Sequence, residues 1–353
     1  MSEFKVECVR IGEIIKHPNA DSLSITNIHG GYPCIFKTGD FNTNELAVYI
    51  PVDSLVPVAR PEFKFLDGGK GREFERIKAR KLRGTFSMGL LVRAPVGARE
   101  GDDLQATFGI DKWLPESERE PAQPNRVKKK VSLAVRVWFW FLRLIGLAPP
   151  KAPSVPVYDI EGIRKHSGVL VEGEEVIVRE KIHGMNSKFL HTGKRFYVGS
   201  RTQFRKGPSA WHTIAERHNL EQKLRNYPNI VLFGEVFGEC QDLKYGVPPS
   251  EGVRFVAFDA LVMNADGTRK WLSNNDLESF CFGLDIPMAP VLYRGPWKPE
   301  MVSLAEGRSV IPGANHCREG MVIRPVIERT DLRIGRVQLK LAGEMYLTRK
   351  EQP

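Results

Sequence analysis

The sequence predicts an α+β protein in which a small β-barrel precedes a larger domain of mixed strands and helices. Two observations carry this prediction. Residues 1–110 contain short alternating apolar runs separated by turn residues, a pattern typical of a small barrel. From Val157 onward, apolar strand-like runs at 229–234 and 254–259 occur together with a helical pattern at 209–226. A proline-framed segment separates the two parts.

The N-terminal part is defined by three strand-like runs and two turns. Residues 6–11, 25–28 and 46–50 alternate as half-buried strands do. Residues 18–21 and 67–69 carry the proline, glycine and aspartate residues that favour turns.

A run of basic residues follows the second turn. It places seven cations within 14 residues, against only Glu73 and Glu75. We interpret it as a track that contacts the phosphate backbone of a nucleic acid, and the alternative is a solvated loop. The seven cations are Lys70, Arg72, Arg76, Lys78, Arg80, Lys81 and Arg83.

The segment 111–156 is predicted to be a linker with an unusual insert. Prolines frame it, and the basic run 126–130 leads into an apolar stretch at 131–148. Arg136 and Arg143 interrupt that stretch, and each would cost roughly 2.5–3.5 kcal/mol near a bilayer centre. A helix packed between domains is favoured over a helix lying in a membrane interface, and a full membrane span is the least favoured alternative.

The composition of the chain limits its possible binding partners and its cellular compartment. The chain has 353 residues and a net charge of +10, so a polyanion is a sensible partner. Its five cysteines are scattered without a C-x-x-C pair, which argues against a zinc site and a disulfide framework. We therefore expect a protein of the cytoplasm or, in a eukaryote, of the nucleus.

Lys181 is the residue whose surroundings say most about chemistry. The apolar run 176–178 leads up to it, and Gly184 follows it. This context predicts a strand that ends at a tight turn, with the amine at the mouth of a pocket. Glu180 just before it and Asn186 after the glycine complete a K-x-x-G pattern that is a candidate for a lysine nucleophile taking a nucleotide onto Nζ.

Further motifs follow Lys181 in a fixed order. They are Ser200-Arg201, the F-G-E-V-F-G box at 233–238, the aromatic and acidic strand 255–259, the R-E-G-M-V-I-R box at 318–324, and the strand 337–341 that contains Lys340. This ordered set resembles the covalent nucleotidyltransferase superfamily of polynucleotide ligases and mRNA capping enzymes. Its E-K-I-H-G-M-N, F-G-E-V-F-G and R-E-G-M-V-I-R forms resemble ATP-dependent RNA ligases, over residues 157–348.

The N-terminal part strengthens the resemblance. Residues 17–23 are similar to the opening of OB-fold RNA-binding modules, and an OB module before the catalytic domain resembles the Deinococcus-type RNA ligase branch. The resemblance implies an OB-fold module at 1–110, the linker at 111–156 and an adenylyltransferase domain at 157–353. It also implies antiparallel sheets with flanking helices in the last of these.

The resemblance assigns a role to each motif. Lys181 is implied to be the nucleophile that receives AMP from ATP, with Mg²⁺ or Mn²⁺ as the metal. Glu235 is implied to bind the ribose hydroxyls, Phe258 to stack on adenine and Lys340 to contact the α-phosphate. Glu319 is expected to serve the metal or the lysine. The other implied nucleotide-binding residues are Glu180, Ile182, Gly184, Asn186 and Arg201.

Nucleophilic attack by a lysine requires an uncharged amine. A free lysine has a pKa near 10.4, so burial and nearby cations such as Arg201 and Lys340 are needed to free it at neutral pH. AMP would then pass from Lys181 to a 5′-phosphate, and a 3′-hydroxyl would displace it. The resemblance predicts a monomeric enzyme that seals breaks in RNA, including an RNA/DNA hybrid or a nicked duplex.

One departure and two alternatives remain. Family members often have K-x-K in the last motif, whereas this chain has Gln338 at the first position, so a phosphate contact is either missing or supplied by Arg336. The alternatives are a guanylyltransferase that uses GTP and a non-catalytic RNA-binding protein built on a ligase fold.

Overall fold

The structure is a computed structural model that describes residues 4–114, Trp140 and residues 152–349. Apart from Trp140, the apolar stretch at 131–148 lies outside the described residues. Within the described ranges, no helix has the length and apolar character needed to cross a membrane. The α+β prediction is confirmed, because strands form most of the architecture and a few helices flank them.

The N-terminal domain is built from small antiparallel sheets. Three sheets have the strand orders β1-β5-β10, β2-β3-β4 and β11-β6-β7, and β8 and β9 form a hairpin. A short helix α1 (Gln105–Phe108) closes it, and a 3-10 turn covers Lys64–Leu66. The strands are β1 (Glu7–Arg10), β2 (Ile15–Lys16), β3 (Leu23–Ile28), β4 (Tyr32–Lys37), β5 (Leu46–Ile50), β6 (Ser54–Pro57), β7 (Phe74–Arg76), β8 (Arg80–Leu82), β9 (Thr85–Ser87), β10 (Leu90–Arg93) and β11 (Asp111–Lys112).

Strand β5 is the centre of this domain. Ala47 and Tyr49 pack into one apolar cluster, and Val48 and Ile50 pack into another. Because successive side chains of a strand point to opposite faces, β5 is buried on both sides. β11 pairs with β6 beyond residue 110, so strands of this domain extend into the segment that the sequence assigns to the linker.

The C-terminal domain contains two five-stranded sheets. Their strand orders are β12-β23-β20-β13-β19 and β15-β14-β16-β17-β18, and every neighbouring pair is antiparallel except β12 with β23. The strands are β12 (Glu161–Gly162), β13 (Glu175–Lys181), β14 (Met185–His191), β15 (Phe196–Ser200), β16 (Ile230–Gly238), β17 (Val253–Met263), β18 (Arg269–Trp271), β19 (Val291–Pro296), β20 (Gly320–Pro325), β21 (Thr330–Asp331), β22 (Gly335–Arg336) and β23 (Leu339–Ala342).

Four short α-helices complete this domain. They are α2 (Ala210–Arg217), α3 (Leu220–Arg225), α4 (Asn274–Gly283) and α5 (Glu344–Leu347), with 3-10 turns at Ser167–Val169 and Pro299–Ala305. The sequence predicts one helix at 209–226, but the structure has two. Asn219 adopts a left-handed conformation with φ 50° and ends the first helix. Asparagine tolerates this conformation better than most residues, so the break is inexpensive.

A β-bulge in β17 shapes the space between the two sheets. The pairing of β16 with β17 steps from Phe233 opposite Asp259 to Gly234 opposite Ala257. Phe258 is therefore the extra residue, without a partner in β16. Bulges bend a strand and change the direction of its side chains, and this one lies beside the cavity described next.

Candidate active site

A cavity of about 230 Å³ lies between the two sheets of the C-terminal domain. One sheet contributes Lys181, Val322 and Lys340, and the other contributes Asn186 and Phe258. Eight of the predicted nucleotide-site residues line this cavity: Glu180, Lys181, Ile182, Asn186, Arg201, Glu235, Phe258 and Lys340. Motifs spread over 160 positions of sequence are thus brought to one place.

Lys181 ends β13 at the cavity wall. Its Nζ donates a hydrogen bond of 2.5 Å to Oε1 of Glu319, and its side chain is 27% exposed. β13 pairs with β20 so that Lys181 stands opposite Gly320, which places Glu319 beside the amine. Glu319 itself does not line the cavity, and it acts on the site through this hydrogen bond.

Gly184 does not line the cavity either, but the site depends on its size. A Cβ at this position would lie 2.3 Å from the carbonyl oxygen of Val236 and 2.9 Å from Cγ of Glu235. The turn after Lys181 therefore packs directly on the backbone of β16. The glycine of the K-x-x-G pattern is required by this close approach.

The opposite wall presents polar and aromatic groups. Asn186 on β14 stands opposite Glu235 on β16, and Arg201 follows the end of β15. The bulged Phe258 packs against Tyr158, with their ring centroids 4.9 Å apart. This wall combines a flat aromatic surface with a carboxylate, an amide and a guanidinium, a combination typical of pockets that bind small molecules.

Lys340 lies at the cavity beside Asp159, whose Oδ1 is 3.7 Å from its Nζ. Burial is the main reason that the pKa of Lys340 lies below its ordinary value. Asp159 opposes that shift, and the positive charges of Lys181 and Lys112 add to it. Two amines of the site therefore repel each other across a small space.

A hydrogen-bonded cluster holds the turn between Lys181 and Gly184. His183 places Nε2 2.6 Å from Oδ1 of Asp242 and Nδ1 3.0 Å from the hydroxyl of Tyr346, and its backbone N–H donates to the Tyr245 hydroxyl. Arg349 donates to the other oxygen of Asp242. The hydrogen bond with His183 is the main cause that holds the pKa of Asp242 well below its usual range.

The sequence did not assign a role to a second cluster behind Phe258. The carboxylate of Asp259 is fully buried and lies 2.8 Å from the Tyr158 hydroxyl, 2.5 Å from a guanidinium nitrogen of Arg336 and 3.4 Å from Arg324. Gln338 places Oε1 3.0 Å from the same Tyr158 hydroxyl. A charged residue inside an apolar strand, as at Asp259 and Arg324, is the signal that could have found this cluster.

Arg336 is engaged away from the cavity. Its guanidinium pairs with Asp259 and Glu328 and lies 4.3 Å from the ring centroid of Trp271. Arg336 does not line the cavity, whereas Gln338 and Arg324 do. Of these two arginines, Arg324 is therefore the one that lines the cavity, and it also pairs with Asp259 and Glu328.

The described residues offer only part of a metal shell. They contain no group of three or more His, Cys, Asp or Glu residues placed to hold a metal ion. However, Oε2 of Glu319 is buried without a hydrogen-bond partner. Mg²⁺ commonly takes one or two carboxylates together with substrate phosphates and water, so this carboxylate fits an ion that arrives with a nucleotide.

The predicted basic track is divided between two surfaces. Arg76, Lys78 and Arg80 line a groove of about 640 Å³ on the N-terminal domain. Lys81 lines a different cavity, of about 840 Å³, between the two domains. The remaining three residues line neither space: Lys70, Arg72 and Arg83. The alternation of β8 explains the split, because Arg80 and Lys81 point to opposite faces.

Comparison with known proteins agrees with this architecture. Residues 174–342 match the family model described as RNA ligase, and residues 6–95 match a model of an OB-fold domain. No curated protein sequence matches the chain.

Solved structures of a Naegleria gruberi RNA ligase share the fold over almost the whole chain. The structure with PPi has 20% identity and a TM-score of 0.76, with 98% of each chain covered. A lysine-to-alanine mutant with ATP and Mn has 19% identity and a TM-score of 0.74, with 97% of each chain covered. A glutamate-to-alanine mutant with AMP and Mn has 18% identity and a TM-score of 0.75, with 98% covered. The region 174–342 is therefore an RNA ligase family domain, and an OB-fold domain precedes it in the chain.

Proposed function

We propose that this protein is an ATP-dependent RNA ligase that joins a 3′-hydroxyl to a 5′-phosphate through an AMP adduct on Lys181. The observation that carries the proposal is the position of Lys181. Its amine stands at the wall of a cavity that also presents Glu235, Phe258 and Lys340, and Glu319 holds it there. A surface lysine of structural use only would have no reason to share such a cavity.

Individual residues of the cavity match the separate chemical groups of ATP. Phe258 offers a ring face for adenine, and Glu235 offers a carboxylate for the ribose hydroxyls. Glu180 lines the cavity from the facing sheet, and one of its buried carboxylate oxygens lacks a hydrogen-bond donor. The exocyclic amine of adenine can supply that donor, whereas the carbonyl oxygen of guanine would be repelled. This favours adenine over guanine, because a buried acceptor left unpaired is costly.

The first step forms a bond between Nζ of Lys181 and the α-phosphorus of ATP. The bond from that phosphorus to the bridging oxygen breaks, pyrophosphate leaves, and the amine loses its proton. Arg201 and Lys340 would neutralise the phosphate charge that develops, and Glu319 is placed to take the proton. Mg²⁺ or Mn²⁺, held in part by Glu319, would add positive charge at the phosphates.

The later steps move the AMP group to RNA. A 5′-phosphate oxygen of RNA attacks the lysyl-AMP phosphorus, which frees Lys181 and leaves an adenylylated 5′ end. The 3′-hydroxyl then attacks the 5′-phosphate and expels AMP, which closes the strand. We propose RNA breaks, including nicks in a duplex or in an RNA/DNA hybrid, as the substrate.

Labelling of the protein by α-labelled ATP in the presence of Mg²⁺ or Mn²⁺ tests the proposal. We expect covalent label on the wild-type protein and none on Lys181→Ala. The matched control is Lys194→Ala, which removes an exposed lysine from the hairpin between β14 and β15. Labelling by GTP in preference to ATP, or label that persists in Lys181→Ala, would overturn the assignment.

A further inference from the structure

The N-terminal domain carries an open groove of about 640 Å³ whose floor is apolar and whose rim is charged. Phe36 on β4 and Leu91 on β10 are buried in the floor. Floors of this kind exclude water from whatever lies over them, so the groove is suited to a ligand with flat or apolar faces.

Phe65 is the most unusual residue of the groove. Its side chain is 65% exposed, although it lies on a short 3-10 turn between well-packed neighbours. Phe63, two residues earlier, is fully buried in the apolar core, and Leu66 packs against that core. The turn is therefore anchored on both sides while it presents a phenyl ring to the solvent at the edge of the groove.

Cations surround this ring and floor. Lys37, Lys78, Arg80 and Arg93 are exposed and line the groove, together with the half-buried Arg76. The acidic residues of the lining are fewer: Asp40, Glu62 and Glu75. The pairs Arg93 with Glu45 and Arg80 with Glu75 are wide, at 3.7 and 3.9 Å, so both guanidinium groups can turn to a stronger anionic partner.

Arg76 links the groove to the end of β11. Arg76 lies over the ring of Trp113 at 3.3 Å from its centroid, and Trp113 follows Lys112 at the end of β11. The positive charge of Lys112 is one of the smaller causes of the lowered pKa of Lys340.

We propose that this groove binds an unpaired stretch of RNA next to the break, with a base stacked on Phe65 and phosphates on the surrounding cations. The inference rests on the proposed RNA ligase function. A single strand is favoured because only unpaired bases expose their faces to an aromatic ring and an apolar floor. Duplex RNA is bound mainly through its phosphates and 2′-hydroxyls. A projecting phenyl ring would contribute little to such contacts.

Binding of two RNA probes to the full-length protein tests the inference. One probe is a short fluorescent oligouridylate, and the other is a blunt RNA duplex of the same length. We expect Phe65→Ala to weaken oligouridylate binding about 10-fold, within the range reported for loss of one base stack, and to leave duplex binding unchanged. Phe65→Trp should retain the affinity for the oligouridylate.

The matched control is Phe282→Ala, which removes a ring that is 90% exposed on the C-terminal domain and should change neither affinity. Unchanged oligouridylate binding by Phe65→Ala would overturn the proposal, as would an equal loss for both probes. Covalent labelling by α-labelled ATP, measured on the same samples, separates the two claims. A wild-type protein that takes no label would contradict the ligase function. RNA binding by the groove is judged only from the affinities for the two probes.

Discussion

Glu319 binds the Lys181 amine through Oε1 at 2.5 Å while its Oε2 stays buried without a hydrogen-bond partner. One carboxylate can thus serve two tasks, because the paired oxygen orients the Lys181 amine and the other oxygen is available to a proton or a cation. An unsatisfied buried acceptor is costly in a resting protein, and such costs concentrate at functional sites.

Glu319→Gln should therefore slow the formation of the lysyl-AMP adduct by about 100-fold, since an amide can neither take the proton nor offer a negative charge. The measurement is the initial rate of covalent labelling at saturating ATP. Glu300→Gln, in an exposed 3-10 turn, is the control and should label at the wild-type rate. A normal labelling rate for Glu319→Gln would rule out a chemical role for this carboxylate.

The lowered pKa of Lys340 predicts a pH dependence of ATP binding. A protonated Lys340 can contact phosphate, and because burial lowers its pKa, that contact should be lost at a pH below the ordinary lysine value of about 10.4. Lys340→Arg keeps its charge in this range, so its affinity should stay level where the native side chain loses affinity.

The comparison is best made by equilibrium ATP binding in a Lys181→Ala background, which removes both the covalent step and the titration of Lys181. Each affinity is scaled to its own value near neutral pH. Parallel pH profiles for the lysine and arginine forms would contradict the assignment of Lys340 to the phosphates.

Gly184→Ala should damage both stability and labelling, because the added methyl group would lie 2.3 Å from the Val236 carbonyl oxygen. Overpacking of this kind costs about 1–3 kcal/mol. Chemical denaturation gives the free energy of unfolding, and covalent labelling gives the activity. Gly283→Ala is the matched control, since a Cβ there meets no atom within 4 Å. Equal behaviour of the two variants would show that the turn does not need its close approach to β16.

Asp242→Asn should destabilise the protein by about 1–2 kcal/mol at neutral pH, because Asp242 makes charge-assisted hydrogen bonds with His183 and Arg349. The pKa of this carboxyl is lowered in the folded state. Its contribution is therefore complete above the ordinary aspartate value, about pH 4, and is lost as the pH falls through the lowered value.

The measurement is the difference in unfolding free energy between the wild type and Asp242→Asn, followed from neutral to acid pH. The difference should be constant down to about pH 4 and then shrink. The control is Asp40→Asn, which changes an exposed residue in the turn after β4. A difference that grows toward acid pH would show that the sign of the pKa shift is wrong.

Local patterns in the sequence predicted the strands of the N-terminal part, and the family resemblance pointed to eight residues that line the cavity between the two sheets. Strand alternation is visible in β5, and the K-x-x-G pattern marks the end of β13. Contacts between residues that are far apart in the sequence could not be predicted. Tyr158 meets Asp259 over 101 positions, and His183 meets Tyr346 over 163, so only the tertiary structure could show them. The break at Asn219 was also missed, because helical periodicity continues on both sides of it.

The extra residue in β17 couples two features that a regular strand would keep apart. Phe258 and Asp259 are successive, yet both contact Tyr158, one by its ring and the other by its carboxylate. In a strict two-residue repeat, one of them would point to the far side of the sheet. Deletion of one residue here would therefore separate the aromatic wall from the buried ion pair, whichever side chains were kept. The spacing of this strand is therefore as much a part of the site as its chemistry.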